Sequence, residues 1–431
     1  MKDIQYPAIL HWEVTPLCNH NCIHCYNYWR HDTDCLALDK TINLVDIANK
    51  IVSFKPVAVV VTGGEPFLLF EELKEPILVL RKAGIIVSIN TNATLVNDEI
   101  TSFLKQYNIG TLVSLPCDNA KTCDAITNVE GSHQRITQGV KTLVKGGVNV
   151  TVNMVVSQRN KHRIYNTAQF VKEELGVHSF LASRVSKPIN SSDDFNKEML
   201  SPQEVETILE ELVRIKNELS LDVSTGAPIP ACLITQEAVF EEFAYKKTCT
   251  AGRFSYSIDF LGNVKACVRD TTTYGNIFTE SFSTIWGKMS SWRNDEFTPS
   301  ECQSCSKLQV CRTGCRLEAF PLCGRLDCLD PAAQIRNIPI RFPDPTPHEI
   351  QYAIDTQFST YGNLRLVEES FGYRANSTAK YTYLTTRFGD YLSSHKQFTV
   401  AEICSEFSVN QTVANKLINT LIEKHLIYAT K

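Results

Sequence analysis

The sequence predicts an α/β protein whose first half forms a partial (β/α)6 TIM barrel, followed by a cysteine-rich module and a C-terminal winged-helix-like α+β domain. Three observations support this prediction. Strand-like and helix-like segments alternate through the first 200 residues, cysteines cluster in two parts of the chain, and a proline-rich stretch precedes the final segment. With 431 residues the chain is too long for one ordinary core, so several domains are expected.

Six apolar runs in the first half have the length and composition of buried strands, with amphipathic stretches between them. Strands that alternate with helices indicate a parallel sheet covered on both faces. Six units are fewer than the eight that close a full barrel, so we expect an open barrel over residues 1–200 with its sites at the carboxyl ends of the strands. The predicted strands are ILHWEVT (9–15), VAVVVTG (57–63), IIVSINTN (85–92), TLVSLP (111–116), NVTVNMVV (149–156) and SFLASRV (179–185).

The second half lacks this alternation. One segment is rich in cysteine, glycine and basic residues; it is unlikely to fold around an apolar core alone, which predicts a module stapled by metal. A stretch with four prolines, IPIRFPDPTPHE, predicts a linker. The predicted parts are a helical connector (201–245), the cysteine-rich module (246–335), the linker (336–358) and the winged-helix-like domain (359–431).

The amino-acid composition limits which classes of function are expected. Hydrophobic content of 43% and charged content of 21% are typical of a globular protein, and a net charge of −4 gives no general attraction to nucleic acid or membranes. No export signal or bilayer-spanning run is evident, so a cytoplasmic location is predicted. In a reducing cytosol the 16 cysteines are more often metal ligands or reactive groups than disulfides.

The first cysteine cluster directly follows the first predicted strand. Cys18, Cys22 and Cys25 have the spacing C-x3-C-x2-C, and thiolates suit zinc or iron–sulfur clusters. A four-iron cluster held by three cysteines leaves one iron open for an external ligand. A zinc site would need a fourth ligand, which His20 or His24 could supply. The residues alone leave both alternatives open.

The run CNHNCIHCY (18–26), together with GGEPF (63–67) at the end of the second strand, resembles the signature of the radical S-adenosylmethionine enzymes. The resemblance implies that Cys18, Cys22 and Cys25 hold a [4Fe–4S] cluster whose open iron binds S-adenosylmethionine. Reduction of that cluster then cleaves the cofactor to a 5′-deoxyadenosyl radical. By the same resemblance, the residues that contact the cofactor are Gly63, Gly64, Glu65, Pro66, Asn92 and Ser114.

The second cysteine cluster is longer and more specific. It contains the pattern C-x12-G-x4-C at Cys249 and Cys267, then C-x2-C-x5-C-x3-C from Cys302 to Cys315, with two further cysteines downstream. This order resembles the SPASM extension of radical enzymes that mature peptides and proteins, which carries two auxiliary [4Fe–4S] clusters. A double zinc knuckle is the alternative.

The SPASM resemblance implies interleaved ligands. Cys249, Cys267 and Cys315 would hold the first auxiliary cluster, and Cys302, Cys305 and Cys311 the second, together with one downstream cysteine. Cys328 is the first choice for that last ligand and Cys323 the second, although one of them could instead serve the first auxiliary cluster. The other five cysteines stand alone, which is typical of small apolar residues; they are Cys35, Cys117, Cys123, Cys232 and Cys404.

The C-terminal segment, about 360–430, is similar to the RiPP recognition element, a domain that binds the leader of a ribosomally made precursor peptide. That fold pairs a three-stranded sheet with helices and takes the leader as an added edge strand. Val413, Leu417 and Leu421 are predicted to form the apolar face of its last helix. A DNA-binding helix–turn–helix is disfavoured because three acidic residues balance three basic ones in 399–431. A purely structural winged helix is the other alternative.

Together these features predict a radical peptide maturase. It would abstract a hydrogen from a residue of a precursor peptide through the 5′-deoxyadenosyl radical and form a thioether or carbon–carbon crosslink. Its expected partners are the precursor peptide with its leader and an electron donor such as flavodoxin or ferredoxin, without nucleic acid or membrane. The alternatives are an anaerobic sulfatase-maturating, formylglycine-forming enzyme and an iron–sulfur-sensing DNA-binding regulator.

Overall fold

A computed structural model describes residues 4–27, 43–243, 248–335 and 350–430. Its first half contains the six predicted strand–helix units. The strands are β1 (Ile9–Glu13), β2 (Ala58–Thr62), β3 (Ile86–Thr91), β4 (Gly110–Ser114), β5 (Val150–Val156) and β6 (Ser179–Arg184). The helices are α1 (Leu44–Ser53), α2 (Phe70–Lys82), α3 (Asp98–Gln106), α4 (Ala120–Thr127), α5 (Ser132–Lys145) and α6 (Ile164–Glu173).

These strands pair in parallel and in chain order from β1 to β6. Three of the helices begin at an asparagine whose side chain accepts a backbone N–H of the first turn, namely Asn43, Asn97 and Asn119. The predicted partial (β/α)6 barrel is therefore confirmed.

The segment predicted as a helical connector also contributes a strand. It contains α7 (Pro202–Leu219), β7 (Asp222–Ser224) and α8 (Glu237–Phe243). A capping box of Ser201 and Glu204 with proline at the first position fixes the start of α7. The three-residue β7 pairs in parallel with β6. Such a strand is too short to show the alternation by which strands are recognised in a sequence.

The cysteine-rich module continues the barrel sheet at its other edge. Its strand β8 (Ser255–Ile258) pairs in parallel with β1. With β9 (Asn263–Lys265) and β10 (Gly275–Asn276) added in antiparallel pairing, the sheet has the order β10-β9-β8-β1-β2-β3-β4-β5-β6-β7. A fully buried ion pair between Lys265 and Glu13 crosses this junction. The α-helices of the module are α9 (Phe282–Lys288), α10 (Ser290–Arg293), α11 (Leu308–Cys311) and α12 (Arg316–Cys323).

The C-terminal domain has two three-stranded antiparallel sheets, where the resemblance implied one. Its elements are β11 (Gln357–Thr360), β12 (Arg365–Glu369), β13 (Gly372–Asn376), β14 (Tyr381–Leu384), α13 (Thr386–Ser394), β15 (Gln397–Thr399), α14 (Val400–Phe407), α15 (Gln411–Glu423) and β16 (Ile427–Ala429). The sheets have the orders β15-β11-β16 and β12-β13-β14.

The start of this domain and one face of α15 differ from the predictions. Tyr352 and Phe358 lie within the predicted linker, but their rings pack edge to face at 5.1 Å in the domain core; residues 336–349 lie outside the described residues. The predicted apolar face of α15 is wrong at Val413, which is 49% exposed. Leu421 is buried and Leu417 packs against the domain core, as predicted, and Ala414, Asn415 and Ile418 complete the buried face.

The C-terminal domain docks on the amino ends of the barrel strands. Arg374, which is fully buried, donates to the backbone carbonyls of Tyr6 and Lys55, just before β1 and β2. Arg365 donates to the carbonyl of Gly84 at 3.1 Å, just before β3. This domain and the cysteine loop after β1 therefore lie at opposite ends of the barrel. Across the described ranges, no helix has the length and apolar character needed to cross a bilayer.

Candidate active site and cluster sites

The three cysteines of the first motif line a cavity of about 210 Å³ at the carboxyl ends of the barrel strands. Most of the cofactor contacts implied by the resemblance line the same cavity. Pro66 does not; it is buried beside the cavity and begins a 3-10 helix at Pro66–Leu69. Ser114 is exposed at the end of β4. The predicted residues brought together here are Cys18, Cys22, Cys25, Gly63, Gly64, Glu65, Asn92 and Ser114.

Backbone hydrogen bonds fix the cysteine loop to its neighbours. The N–H of Asn21 donates to the carbonyl of Thr127 at 3.0 Å, which attaches the loop to the end of α4. On the other side, the N–H of Gly64 donates to the carbonyl of Thr15 at 2.7 Å, and that of Glu65 to the carbonyl of Leu17 at 2.8 Å. The two motifs therefore form one unit.

The two glycines are needed for this contact. Gly63 has φ +121°, a backbone conformation that favours glycine. A Cβ on Gly64 would lie 1.8 Å from the carbonyl oxygen of Leu17. In the structure the two glycines permit close approach of the loop that carries the cysteines.

Glu65 is buried and organises the ends of two strands. Its carboxylate accepts from the N–H of Asn92 at 2.7 Å, the hydroxyl of Thr91 at 2.7 Å and the N–H of Phe67 at 3.1 Å. Burial raises the pKa of Glu65 to about 7, although these three donors lower it. A carboxylate has about four acceptor positions, so one is left for a cationic group of a ligand. That contact with the cofactor stays a prediction.

Two asparagines in the cysteine loop were not predicted from the sequence. The side chain of Asn92 donates to Asn19 Oδ1 at 2.7 Å, and Asn19 donates to Thr94 Oγ1 at 2.9 Å. Asn27 is buried and donates to the carbonyl of Gly63 at 2.8 Å. Both asparagines lie in or beside the cysteine motif, and that position was the signal available in the sequence.

The cavity fits the cluster and cofactor that the resemblance implies. Its three thiols are soft ligands suited to iron, and the remaining wall combines polar groups with the apolar side chains of Leu112 and Val155. Among the described residues, two buried polar atoms beside the thiols have no hydrogen-bond partner, His20 Nε2 and Asn27 Oδ1. Burial lowers the pKa of His20 to about 4, so this ring is neutral near pH 7.

The cysteines assigned to the first auxiliary cluster are neighbours. Burial, together with the nearby thiol of Cys249, raises the pKa of Cys267 to about 11 and that of Cys315 to about 12. Arg269 donates to Cys315 Sγ at 3.9 Å. Thiols this buried are costly to ionise unless a cation or metal stabilises the thiolate, which fits cluster ligands.

The cysteines assigned to the second auxiliary cluster, Cys302, Cys305 and Cys311, line a second, smaller cavity together with Cys232. Cys232 was predicted to be an isolated apolar cysteine, and that prediction is wrong because its thiol shares a cavity with three others. Cys232 lies far from the C-x2-C-x5-C run in the sequence, so no spacing pattern indicates that it belongs with these three cysteines. The same prediction is confirmed for Cys117 and Cys123, which are fully buried in the barrel core. Cys404 is half-buried, and Cys35 lies outside the described residues.

The two downstream cysteines do not reach either set as free thiols. Cys323 and Cys328 are joined to each other in a disulfide. A disulfide sulfur is not a thiolate ligand, so the prediction that one of them holds a cluster requires the pair to be reduced. The Asp-Pro pair that follows has a structural role: Asp330 is fully buried and accepts from Arg184 of β6 at 2.6 Å and from the N–H of Cys315 at 2.8 Å.

Two family models match the chain. Residues 12–171 match the radical SAM superfamily model, and residues 249–315 match the SPASM model, an iron–sulfur cluster-binding domain. The first match contains the three cysteines of the active-site cavity, and the second contains both sets assigned to auxiliary clusters.

Several known proteins and solved structures are similar to this chain. The AdoMet-dependent heme synthase of Methanosarcina barkeri is 27% identical over 337 residues, which cover 74% of this chain and 93% of that protein. The subtilosin biosynthesis protein AlbA of Bacillus subtilis is 25% identical over 290 residues, 65% of this chain and 60% of AlbA. The solved structure of Streptococcus suis SuiB superposes with a TM-score of 0.60 at 18% identity and covers 77% of this chain and 78% of SuiB. SuiB has also been solved with its precursor peptide SuiA bound.

Proposed function

Since this chain belongs to the radical SAM superfamily and carries a SPASM domain, we propose that it matures a ribosomally made precursor peptide by closing a thioether or carbon–carbon crosslink. As a radical SAM enzyme it binds a [4Fe–4S] cluster and S-adenosylmethionine, and its SPASM domain binds auxiliary iron–sulfur clusters. That membership sets aside the alternative of a regulator without turnover. When bound, the cluster and its cofactor supply the 5′-deoxyadenosyl radical that can take hydrogen from an unactivated carbon.

The residues of the cavity have separate tasks in this proposal. Cys18, Cys22 and Cys25 hold the cluster, and Glu65 and Asn92 fix the polar rim against which the cofactor's amino-acid part binds. The cysteine loop and the carboxyl ends of the strands enclose a cavity of about 210 Å³ in which the radical would form. Exclusion of water from such a cavity protects a reactive radical.

The observation that carries the proposal is an uncovered strand edge in the C-terminal domain. In the described part of the chain, β14 pairs with β13 along one edge and has no strand along the other. An uncovered antiparallel edge can accept an extended peptide as an added strand, which is the mode expected for a leader. Two proteins similar to this chain also support it: AlbA is named for the biosynthesis of a bacteriocin, and SuiB binds a precursor peptide.

The position of this domain sets a requirement on the substrate. A leader on β14 is bound at the amino end of the barrel, whereas the cysteines lie at the carboxyl end. The residues from Ile9 to Thr15 alone span at least about 20 Å at roughly 3.3 Å per residue. The core peptide must therefore be separated from the leader by a spacer long enough to pass along the outside of the barrel.

The proposal is tested with purified, oxygen-free, reduced enzyme and any short cysteine- or aromatic-rich peptide that a search of the neighbouring reading frames finds. We expect 5′-deoxyadenosine together with a peptide lighter by two hydrogens, and a large loss of rate when the leader is removed. A sulfatase peptide converted to formylglycine, with no reaction of any leader peptide, would overturn it.

A second candidate is tetrapyrrole modification. It is favoured by the heme synthase of Methanosarcina barkeri, which this chain matches over 93% of that protein's length. About a quarter of this chain lies outside that match, and the candidate gives the C-terminal domain no task. Turnover of an iron-tetrapyrrole substrate, with every peptide unchanged, would establish it in place of peptide maturation.

A further inference from the structure

We propose that Cys232 is the fourth cysteine ligand of the second auxiliary cluster. Cys232 lies in a 3-10 turn at Ala231–Leu233, in the connector that precedes the SPASM match at 249–315. The inference concerns the cluster site alone, so it holds whichever substrate the enzyme takes.

The position of the turn supports this assignment. Cys232, Cys302, Cys305 and Cys311 line one cavity, although more than 60 residues separate the first from the other three in the sequence. The N–H of Ala231 donates to the sulfur of Cys311 at 3.2 Å, so the turn is anchored directly on one of the cluster cysteines. Hydrogen bonds to ligand sulfurs are a feature of protein iron–sulfur sites and tune their potential.

The count of ligands also requires another cysteine. A fully protein-ligated [4Fe–4S] cluster takes four cysteines, and the C-x2-C-x5-C run supplies three. Downstream, the residues that line this cavity are Leu329 and Ala333, which flank the Asp-Pro pair and carry no sulfur. The two nearest downstream cysteines, Cys323 and Cys328, are bonded to each other. Cys232 supplies the missing sulfur.

The assignment gives the two auxiliary sites different chemistry. Four cysteines saturate the second cluster, so it has no open iron and is suited to carrying electrons. The first set has only Cys249, Cys267 and Cys315 and keeps an open coordination position, which a thiolate from the substrate could occupy. Pro230, Leu308 and Ala333 give this cavity an apolar wall, and an apolar surrounding tunes the potential of a cluster.

The test uses a parent in which Cys18, Cys22 and Cys25 are replaced by alanine, so that only auxiliary clusters contribute. Iron and sulfide per chain and the electron paramagnetic resonance spectrum of the reduced protein are measured for Cys232→Ala, Cys328→Ala and Cys404→Ala in that parent. We expect Cys232→Ala to lose up to about four of roughly eight irons, or to retain them with shifted g-values. Cys328→Ala and Cys404→Ala should match the parent. Parent-like iron and an unchanged spectrum in Cys232→Ala would overturn the proposal.

A second measurement needs no substitution and therefore does not depend on whether a variant folds. Iron-loaded and chelator-treated protein are alkylated without oxygen, and each cysteine is quantified by mass spectrometry. Cys232 should be protected until iron is removed, in parallel with Cys305, which is exposed in the structure. Alkylation of Cys232 in iron-loaded protein, while Cys305 stays protected, would show that Cys232 is not a ligand.

Discussion

Gly64 has no room for a side chain, because the carbonyl of Leu17 occupies the position that a Cβ would take. We therefore predict that Gly64→Ala displaces the cysteine loop and lowers the iron retained at the first cluster several-fold after reconstitution. Iron content and 5′-deoxyadenosine formation are the measurements. Gly287→Ala in α9 is the matched control, since nothing lies within 4 Å of its added Cβ. Full iron loading of Gly64→Ala would contradict the prediction.

The buried carboxyl group of Glu65 makes the stability of the barrel depend on pH. Its folded-state pKa of about 7 exceeds the ordinary value of 4.5, so the folded protein holds a proton in this interval that the unfolded chain releases. Stability contributed by this group is therefore present below about pH 4.5 and is lost as pH rises to about 7. At about 1.4 kcal/mol per unit of pKa, this loss of folding stability is at most about 3 kcal/mol.

Glu65→Gln should remove this contribution to the pH dependence. The measurement is the thermal midpoint of cluster-free protein at pH 5 and pH 8, compared with Glu72→Gln on the exposed face of α2. We expect the midpoint of the unsubstituted protein and of the control to fall more between these pH values than that of Glu65→Gln. Equal changes in all three proteins would refute the assigned pKa.

Among the elements, the contact between β6 and the start of α12 depends on one buried carboxylate. Asp330 holds both Arg184 and the backbone of Cys315. Asp330→Asn should cost about 3–5 kcal/mol, as expected when one partner of a buried ion pair is neutralised, and should release iron from the first auxiliary site. The measurements are unfolding by urea and iron content. Asp327→Asn, whose side chain is 45% exposed, should change neither.

The sequence predicted those elements whose pattern is local. Six βα units, the cysteine motifs and the helix at Pro202 all carry their signal within a few residues. The strand β7, the pairing of β8 with β1 and the proximity of Cys232 to Cys302 depend on contacts between distant segments, which no periodicity records. On α15 the pattern favours Val413 for the buried face, although Ala414 fits the same apolar stripe, and only the packing of the domain shows that Ala414 is the buried one.

Over the whole molecule, Arg374 connects the C-terminal domain to the barrel. It is fully buried, donates to carbonyls of two barrel loops and lies 3.9 Å from Glu369. Arg374→Ala should undock the domain, because it leaves these carbonyls without their donor and removes the cation beside the buried Glu369 carboxylate. We expect faster proteolytic release of the C-terminal domain and lower crosslinking, while cleavage of S-adenosylmethionine without peptide is unchanged. The exposed Arg387→Ala is the control; equal proteolysis of the two variants would argue against this role.

The pairing of β8 with β1 has a consequence for electron movement. The loop that follows β1 carries the cysteines of the active-site cavity, and the segments flanking β8 and β9 carry Cys249 and Cys267. Backbone hydrogen bonds join these strands in a single sheet, so both cysteine sets are attached to one continuous element. We therefore expect the distance that an electron tunnels between the two sites to be the same with and without bound substrate.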